Sequence, residues 1–433
     1  MTQTIQILCI SPRFAPSNEA DTHRLRLLLM YANEAGWNPV VVGVDADCLS
    51  LPQDPWLATN LPASLEVHRI KIPRKRFGLS SVFIRAWSAL DDKVRSLLSG
   101  RKFDLVFFST NEFPLTVLAL GWHRDFSIPF CMDFQDPWVN DYYRFNRHIV
   151  PPGGRLKYGV IDKLHRMAER AVVRRCSGFL SVSPAYLPML DSRYGVAVVR
   201  QPRLVAGFPG EPAEMAVLAA QHLPAPQLFG SKTWRYIGRG GADMVKAAQG
   251  FFQAWVQAET HGTLPKQGVK FEAIGTSYAA AGQGSKTYEP LVFGTTLCNF
   301  VEEKPDRLGY SDMLRALLAS DALVVFGSDD AAYTASKIYP YLLAGKPLLA
   351  IFHEESSVVK LMRKVGGGTC VTFNQDTTSD QLADLIGKSW FESGQFSWPV
   401  PLNRQAFEPY TARQQAQDVG QWFQEILAHA RRH

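Results

Sequence analysis

The chain has 433 residues, 46% hydrophobic and 20% charged, enough for two or three well-filled cores at roughly 100–200 residues each. No stretch approaches the ~18 consecutive apolar residues of a membrane span, and the opening MTQTIQILCISPRF lacks the basic start, long apolar middle and small-residue cleavage site of a signal peptide, so a cytoplasmic protein is expected. The net charge of +6 is too mild to argue for a nucleic-acid partner, and six scattered cysteines without CxxC spacing (Cys9, Cys48, Cys131, Cys176, Cys298, Cys370) read as free thiols, not as a disulfide frame or zinc site.

In chain order, IQILCI is a buried strand, followed by the proline-broken loop SPRFAPSNEADT and then HRLRLLLMYANEAGW, apolar at helical spacing. PVVVGVD is a second strand. Residues 68–76, HRIKIPRKR, form a basic cluster, and the amphipathic FGLSSVFIRAWSALDDKVRSLL after it carries Phe77, Phe83 and Trp87. This combination over residues 68–90 is either a peripheral contact for an anionic membrane or a solvated loop followed by a core helix. FDLVFFST and PFCMDFQDPW are short strands around the helical FPLTVLALGWHRDF; residues 156–175 are amphipathic; GFLSVSP is a strand opening onto the helix AYLPMLDSRYG.

Between about residues 200 and 232 repeated Pro and Gly mark a domain edge. The pattern then restarts with strand TWRYIG, helix DMVKAAQGFFQAWVQA, strand VKFEAIG, helix YSDMLRALLAS, strand DALVVFG, a helix near SKIYPYLLAG and strand KPLLAIF, and ends in a helix within FEPYTARQQAQDVGQWFQEILAHARRH. Two runs of alternating strands and helices predict an α/β fold of two doubly wound, Rossmann-like domains. The expected boundaries are 1–205, 206–406, and a terminal helix over 407–433 packing back on the first domain.

Ligands of open α/β sheets gather beyond the carboxyl ends of the strands, where helix N-termini offer free N–H groups. Candidate residues are therefore those at strand ends. After TWRYI come Gly238, Arg239, Gly240 and Gly241, where glycines let a phosphate approach the backbone and the arginine adds a charge-assisted contact. Gly275 and Thr276 close the next strand. In YTASKIYPYLL, Thr334 or Ser336 is placed to cap a helix, and Lys337 and Tyr339 fall in its first turn, where a cation opposes the helix dipole. Lys337 there either meets an anion or is a solvated surface lysine. Pro340 requires the helix to begin near residues 336–339. In the first half, Asp133 and Asp136 follow a strand in MDFQDPW and can serve as general base or orient a hydroxyl, with an Asx turn the structural alternative. His23, in the loop with Arg13, Asn18, Glu19 and Asp21, is either catalytic or a capping residue. Neither GxGxxG, Walker, HExxH nor GxSxG spacing is present, which removes the usual signatures of nicotinamide binding, ATP hydrolysis, zinc proteolysis and serine hydrolysis.

YIGRG, SDALVVFGS, SKIYPYLLAGKPLLA, DFQDPW and LSVSPAYLPMLDSRYG together resemble, in content and order, GT-B glycosyltransferases of the bacterial, sugar-nucleotide-dependent, family-4-like group. The resemblance implies two domains facing a cleft, Arg239 and Lys337 near a donor diphosphate, no essential metal, and transfer of a sugar from a nucleoside-diphosphate sugar to a hydroxyl of a glycan or lipid-linked acceptor. Many members carry two glutamates eight residues apart near this helix; the matching positions here are Ala332 and Pro340. A sugar-nucleotide 2-epimerase and a catalytically silent binding subunit are the alternatives.

Overall fold

The computed structural model describes residues 4–74, 81–145, 150–151, 154–195, 200–221, 232–266, 268–331 and 337–432. The chain divides into two compact units, Met1–Pro209 with Ala412–His433, and Gly210–Thr411. Among the described residues the first holds seven strands: β1 Ile5–Ile10, β2 Trp37–Val44, β3 Glu66–Ile70, β4 Leu105–Ser109, β5 Phe130–Phe134, β6 Gly178–Ser181 and β7 Arg203–Val205. The second holds β8 Lys232–Ile237, β9 Val269–Ile274, β10 Val301–Lys304, β11 Ala322–Phe326, β12 Leu348–His353 and β13 Thr369–Phe373.

Both sheets are parallel, in the orders β3-β2-β1-β4-β5-β6-β7 and β10-β9-β8-β11-β12-β13. The strands are apolar on both faces because helices cover both, as the near-continuous runs VVVGV and LVVF require. Strand order reverses between β1 and β4 in one sheet and between β8 and β11 in the other. These are the switch points where doubly wound sheets open a crevice at their carboxyl edge.

The inter-domain boundaries fall slightly later than the sequence suggests. Residues 407–411, expected in the terminal helix, stay with the second unit, because the Gly210 N–H donates to the Tyr410 carbonyl (2.8 Å) and Gly210 bridges Thr411. Pro409 sits in a short 3-10 turn, Glu408–Tyr410, and the helix itself runs Ala412–Ala430. It joins the first unit through aromatic packing: Phe423 meets Trp37 and Phe107 edge-on at 5.4 and 5.3 Å, and the Trp37 indole donates to the Ala416 carbonyl (3.2 Å). A Cβ on Gly178 of β6 would collide with Ile426, so the helix lies as close as the backbone permits. Phe423→Ala should therefore destabilise the first unit by about 3–5 kcal/mol, as for other large aromatic truncations, read as a lowered denaturation midpoint in urea.

Candidate functional site

The carboxyl edge of the second sheet is built by five segments that bond to one another. Strand β8 ends at Ile237, whose N–H donates to the Tyr341 hydroxyl (2.5 Å) while that hydroxyl donates to the Ile237 carbonyl (3.1 Å). Tyr341 thereby ties the helix Ile338–Leu343 to the strand leading into the glycine turn. The Gly238 N–H donates to the Ile274 carbonyl (3.0 Å) and the Gly240 N–H to the Thr276 carbonyl (2.6 Å), joining that turn to the end of β9. The Asp329 N–H, after β11, donates to the Asp243 carbonyl (2.9 Å).

The glycines have internal reasons as well as an external one. A Cβ on Gly240 would strike Thr287, and one on Gly238 would lie 2.5 Å from the Tyr236 hydroxyl. The Tyr236 and Tyr288 hydroxyls both donate to the Arg239 carbonyl (2.7 and 2.9 Å), fixing the turn from beneath. The Arg239 guanidinium makes a two-pronged pair with Asp243 (3.0 and 2.6 Å), which holds the Asp243 carboxyl below its ordinary range.

Glu303, on β10, organises this edge, and no motif in the sequence marks it. Its buried carboxylate accepts four hydrogen bonds, from the Thr276 hydroxyl (2.6 Å) and from the N–H groups of Thr287 (2.8 Å), Tyr288 (2.7 Å) and Glu289 (2.9 Å). It clamps the loops that back Gly240. The only clue in the sequence is a carboxylate at an inward position of a short alternating edge strand, VEEK.

Lys337 occupies the N-cap position of its helix, and Pro340 lies in the first turn, where its missing N–H costs nothing. Lys337 is half-buried: surrounding atoms strip water from the ammonium and Arg307 repels it, so its pKa falls from 10.5 to about 8. Among the described residues no carboxylate lies within ion-pair distance of Lys337. Arg307 is exposed, its guanidinium over the Tyr278 ring (5.3 Å), and its backbone lies against Gly275, whose φ of +74° favours glycine. Arg307, also missed in the sequence, thus lies against Gly275 and near enough to Lys337 to repel its charge. Tyr339 is placed elsewhere: its ring stacks on Tyr410 and packs against Phe407. Thr334, Ser336 and Ala332 lie outside the described residues.

In the first unit, loops after β1 and β4 meet at the switch point. The Arg13 guanidinium pairs with Glu112, and the buried Asp21 accepts from the Asn111 N–H (3.4 Å) and the Thr22 N–H (3.1 Å). Burial pushes the Asp21 carboxyl up to about 6, against the pull of Arg13. His23 is half-buried, with Nε2 2.8 Å from Asn18 Oδ1. Asp133 is fully buried, paired with Arg24 (3.1 Å) and within hydrogen-bond distance of Ser109 (3.3 Å) and Gln135 (3.3 Å), so it faces no solvent. Asp136 is exposed, and partial loss of water raises its pKa. Of the basic segment 68–90, Arg69 and Arg85 donate to backbone carbonyls of their own unit, Val82, Ala86 and Leu90 are core, and residues 75–80 lie outside the described residues.

No family model matches the sequence, and no curated protein sequence matches it. Solved structures do. Sucrose-phosphate synthase from Thermosynechococcus elongatus matches at 14% identity and a TM-score of 0.60, over 98% of this chain and 99% of that one. A UDP-forming trehalose-phosphate synthase from Burkholderia xenovorans matches at 11% identity and 0.58, over 99% of each. HepE from Anabaena in complex with UDP matches at 14% and 0.53, over 99% of this chain and 98% of that one. The chain has the GT-B fold. In GT-B terms the glycine turn, Arg307 and Lys337 all belong to the second of the two Rossmann-like units. Among the described residues no helix is long and apolar enough to cross a membrane, and no group of three or more His, Cys, Asp or Glu is placed to hold a metal ion.

Removing the Glu303 clamp by Glu303→Ala should cost about 2–4 kcal/mol, since four donors lose their acceptor in a buried site. The expected readout is a lowered thermal midpoint together with weakened binding of any ligand held at the glycine turn. An unchanged midpoint would show that the four bonds do not order this edge.

Proposed function

We propose that the protein is a glycosyltransferase that moves a sugar from a nucleoside-diphosphate sugar to a hydroxyl of a glycan or lipid-linked acceptor, as in bacterial polysaccharide assembly. The observation that carries the proposal is the pair of cations at the sheet edge: Lys337 has no carboxylate partner among the described residues and is repelled by Arg307. A diphosphate entering there neutralises both. Gly238–Gly241 lets the phosphates reach the backbone, with Gly275 and Thr276 as the adjoining wall; Thr334 and Ser336, which lie outside the described residues, stay donor-site candidates on the sequence alone, and Tyr339, stacked on Tyr410, supports the helix from behind. As the bond to the sugar breaks, negative charge grows on the departing diphosphate, and fixed cations stabilise that charge more than the ground state. This needs no metal. Arg239, its charge balanced by Asp243, serves near the donor diphosphate by shaping the turn.

On the acceptor side, Asp136 and His23 are the groups proposed to orient or deprotonate the attacking hydroxyl, and Asp133 positions them indirectly by holding Arg24 and the end of β5. A lipid-linked acceptor would bring the protein to the inner face of a membrane. UDP is the first donor base to test, because HepE was solved with UDP and UDP-glucose.

The test is calorimetric titration of UDP, GDP, ADP and dTDP into wild type, Lys337→Ala and Arg307→Ala. At least one nucleotide should bind wild type, and each variant should bind it roughly 10- to 100-fold more weakly, the range for losing one charged contact. Undiminished affinity in both variants contradicts the donor site. Tight binding with no transfer or hydrolysis of the matching sugar nucleotide favours the silent-subunit reading.

A further inference from the structure

The helix Arg155–Val173 carries an apolar stripe that no part of the described chain covers. Leu156, Val160, Leu164 and Met167 are 90%, 63%, 58% and 62% exposed. At 100° per residue these positions share one arc, and Ala171 continues it. Long aliphatic side chains at four consecutive turns of one face are not the scatter of single exposed hydrophobics normal to a surface.

The borders of the stripe are cationic. The same helical geometry sets Lys163 and Arg170 along one side and Lys157 along the other, with Arg174 at its end, all exposed. The two carboxylates of the helix are removed from this surface: Asp162 pairs with Arg166 (2.8 Å), and the buried Glu169 pairs with Arg193 (2.7 Å). Beside the stripe lies a cleft of about 690 Å³, lined by Arg144, Lys163, Arg166, Arg170 and Arg193, by Asp162, and by the rings of Tyr158 and Tyr194; Arg166 and Arg193 are held there by Asp141, Asp162 and Glu169, which leaves Lys163 and Arg170 to meet an anion.

We infer that this helix is a membrane-docking surface, its apolar stripe entering the interface of an anionic bilayer and its lysines and arginines engaging lipid phosphates, with the neighbouring cleft receiving a headgroup. Charge complementarity selects this occupant. An apolar face whose border on this helix is cationic repels a second copy of itself brought face to face, whereas an anionic bilayer satisfies both the stripe and its rim. The surface differs from the basic segment 68–90, where Ile84 and Trp87 are the exposed large hydrophobics among the described residues. The inference is independent of sugar transfer, since docking needs no donor.

The experiment is co-sedimentation of the full chain with phosphatidylcholine vesicles, with and without about one third phosphatidylglycerol. Wild type should bind the anionic vesicles and not the neutral ones. Binding should fall at least about tenfold in Leu156→Ser/Leu164→Ser/Met167→Ser and in Lys157→Gln/Lys163→Gln/Arg170→Gln, with thermal midpoints unchanged because all six side chains face solvent. The charge variant alters only solvated groups, so it decides the matter should the serine variant fold poorly. The inference is overturned if wild type binds neither vesicle, if both variants bind like wild type, or if Ile84→Ser/Trp87→Ser abolishes binding while the helix variants retain it. It is equally overturned if light scattering finds a dimer that the serine variant converts to monomer.

Discussion

Lys337 and Arg307 are held near enough for one to depress the other's charge, at the edge of a sheet where most charged side chains find partners. The arrangement opposes stability. A lysine whose folded pKa lies below its unfolded value binds fewer protons when folded, so the protein is penalised at neutral pH and relieved as pH rises from about 8 toward 10.5. Such a cost persists where something outside the chain offsets it, and an anion does so directly. Much of the surrounding architecture serves to keep this edge in place: Tyr341 ties the lysine's helix to β8, Glu303 clamps the loops behind the glycine turn, and Asp243 holds Arg239.

The doubly wound sheets explain why the edge exists. Parallel order with a reversal between β8 and β11 leaves two neighbouring loops diverging, and the helices that follow bring their N-termini to the gap. The first unit repeats the device between β1 and β4, but fills its gap with ion pairs and buried carboxyls, Arg13 with Glu112 and Asp21 beside Asn111. The first edge thus pairs its charges internally, while the second keeps Lys337 beside Arg307 with no carboxylate partner among the described residues. The proposed division, donor diphosphate on the second unit and acceptor hydroxyl on the first, rests on that difference.

The strands legible in the sequence were those buried on both faces, such as IQILCI, DALVVFG and KPLLAIF, because continuous apolar runs between turn residues permit little else. Those that were not legible lie toward the sheet margins. EVHRI and VEEK alternate charge with apolar residues and read as basic or acidic surface, and β7 is only three residues long. The same reason hid Glu303. Lys337 could be singled out because Pro340 fixes where its helix starts, a local rule. Its partial burial and its proximity to Arg307 depend on a fold partner thirty residues away, which no local pattern encodes. Asp133 shows the converse: an Asp at a strand end looked available for chemistry, but Arg24, from a distant helix, encloses it.

The central claim is that Lys337 awaits an anion, and proton linkage tests it most directly. An anion bound beside Lys337 restores its charge, so at pH about 8.5 binding of the nucleotide should draw a fraction of a proton from solution. Calorimetric titration in two buffers of different ionisation enthalpy measures that uptake. The account predicts uptake by wild type that disappears in Lys337→Met; binding with no uptake, or with equal uptake in the methionine variant, would contradict it.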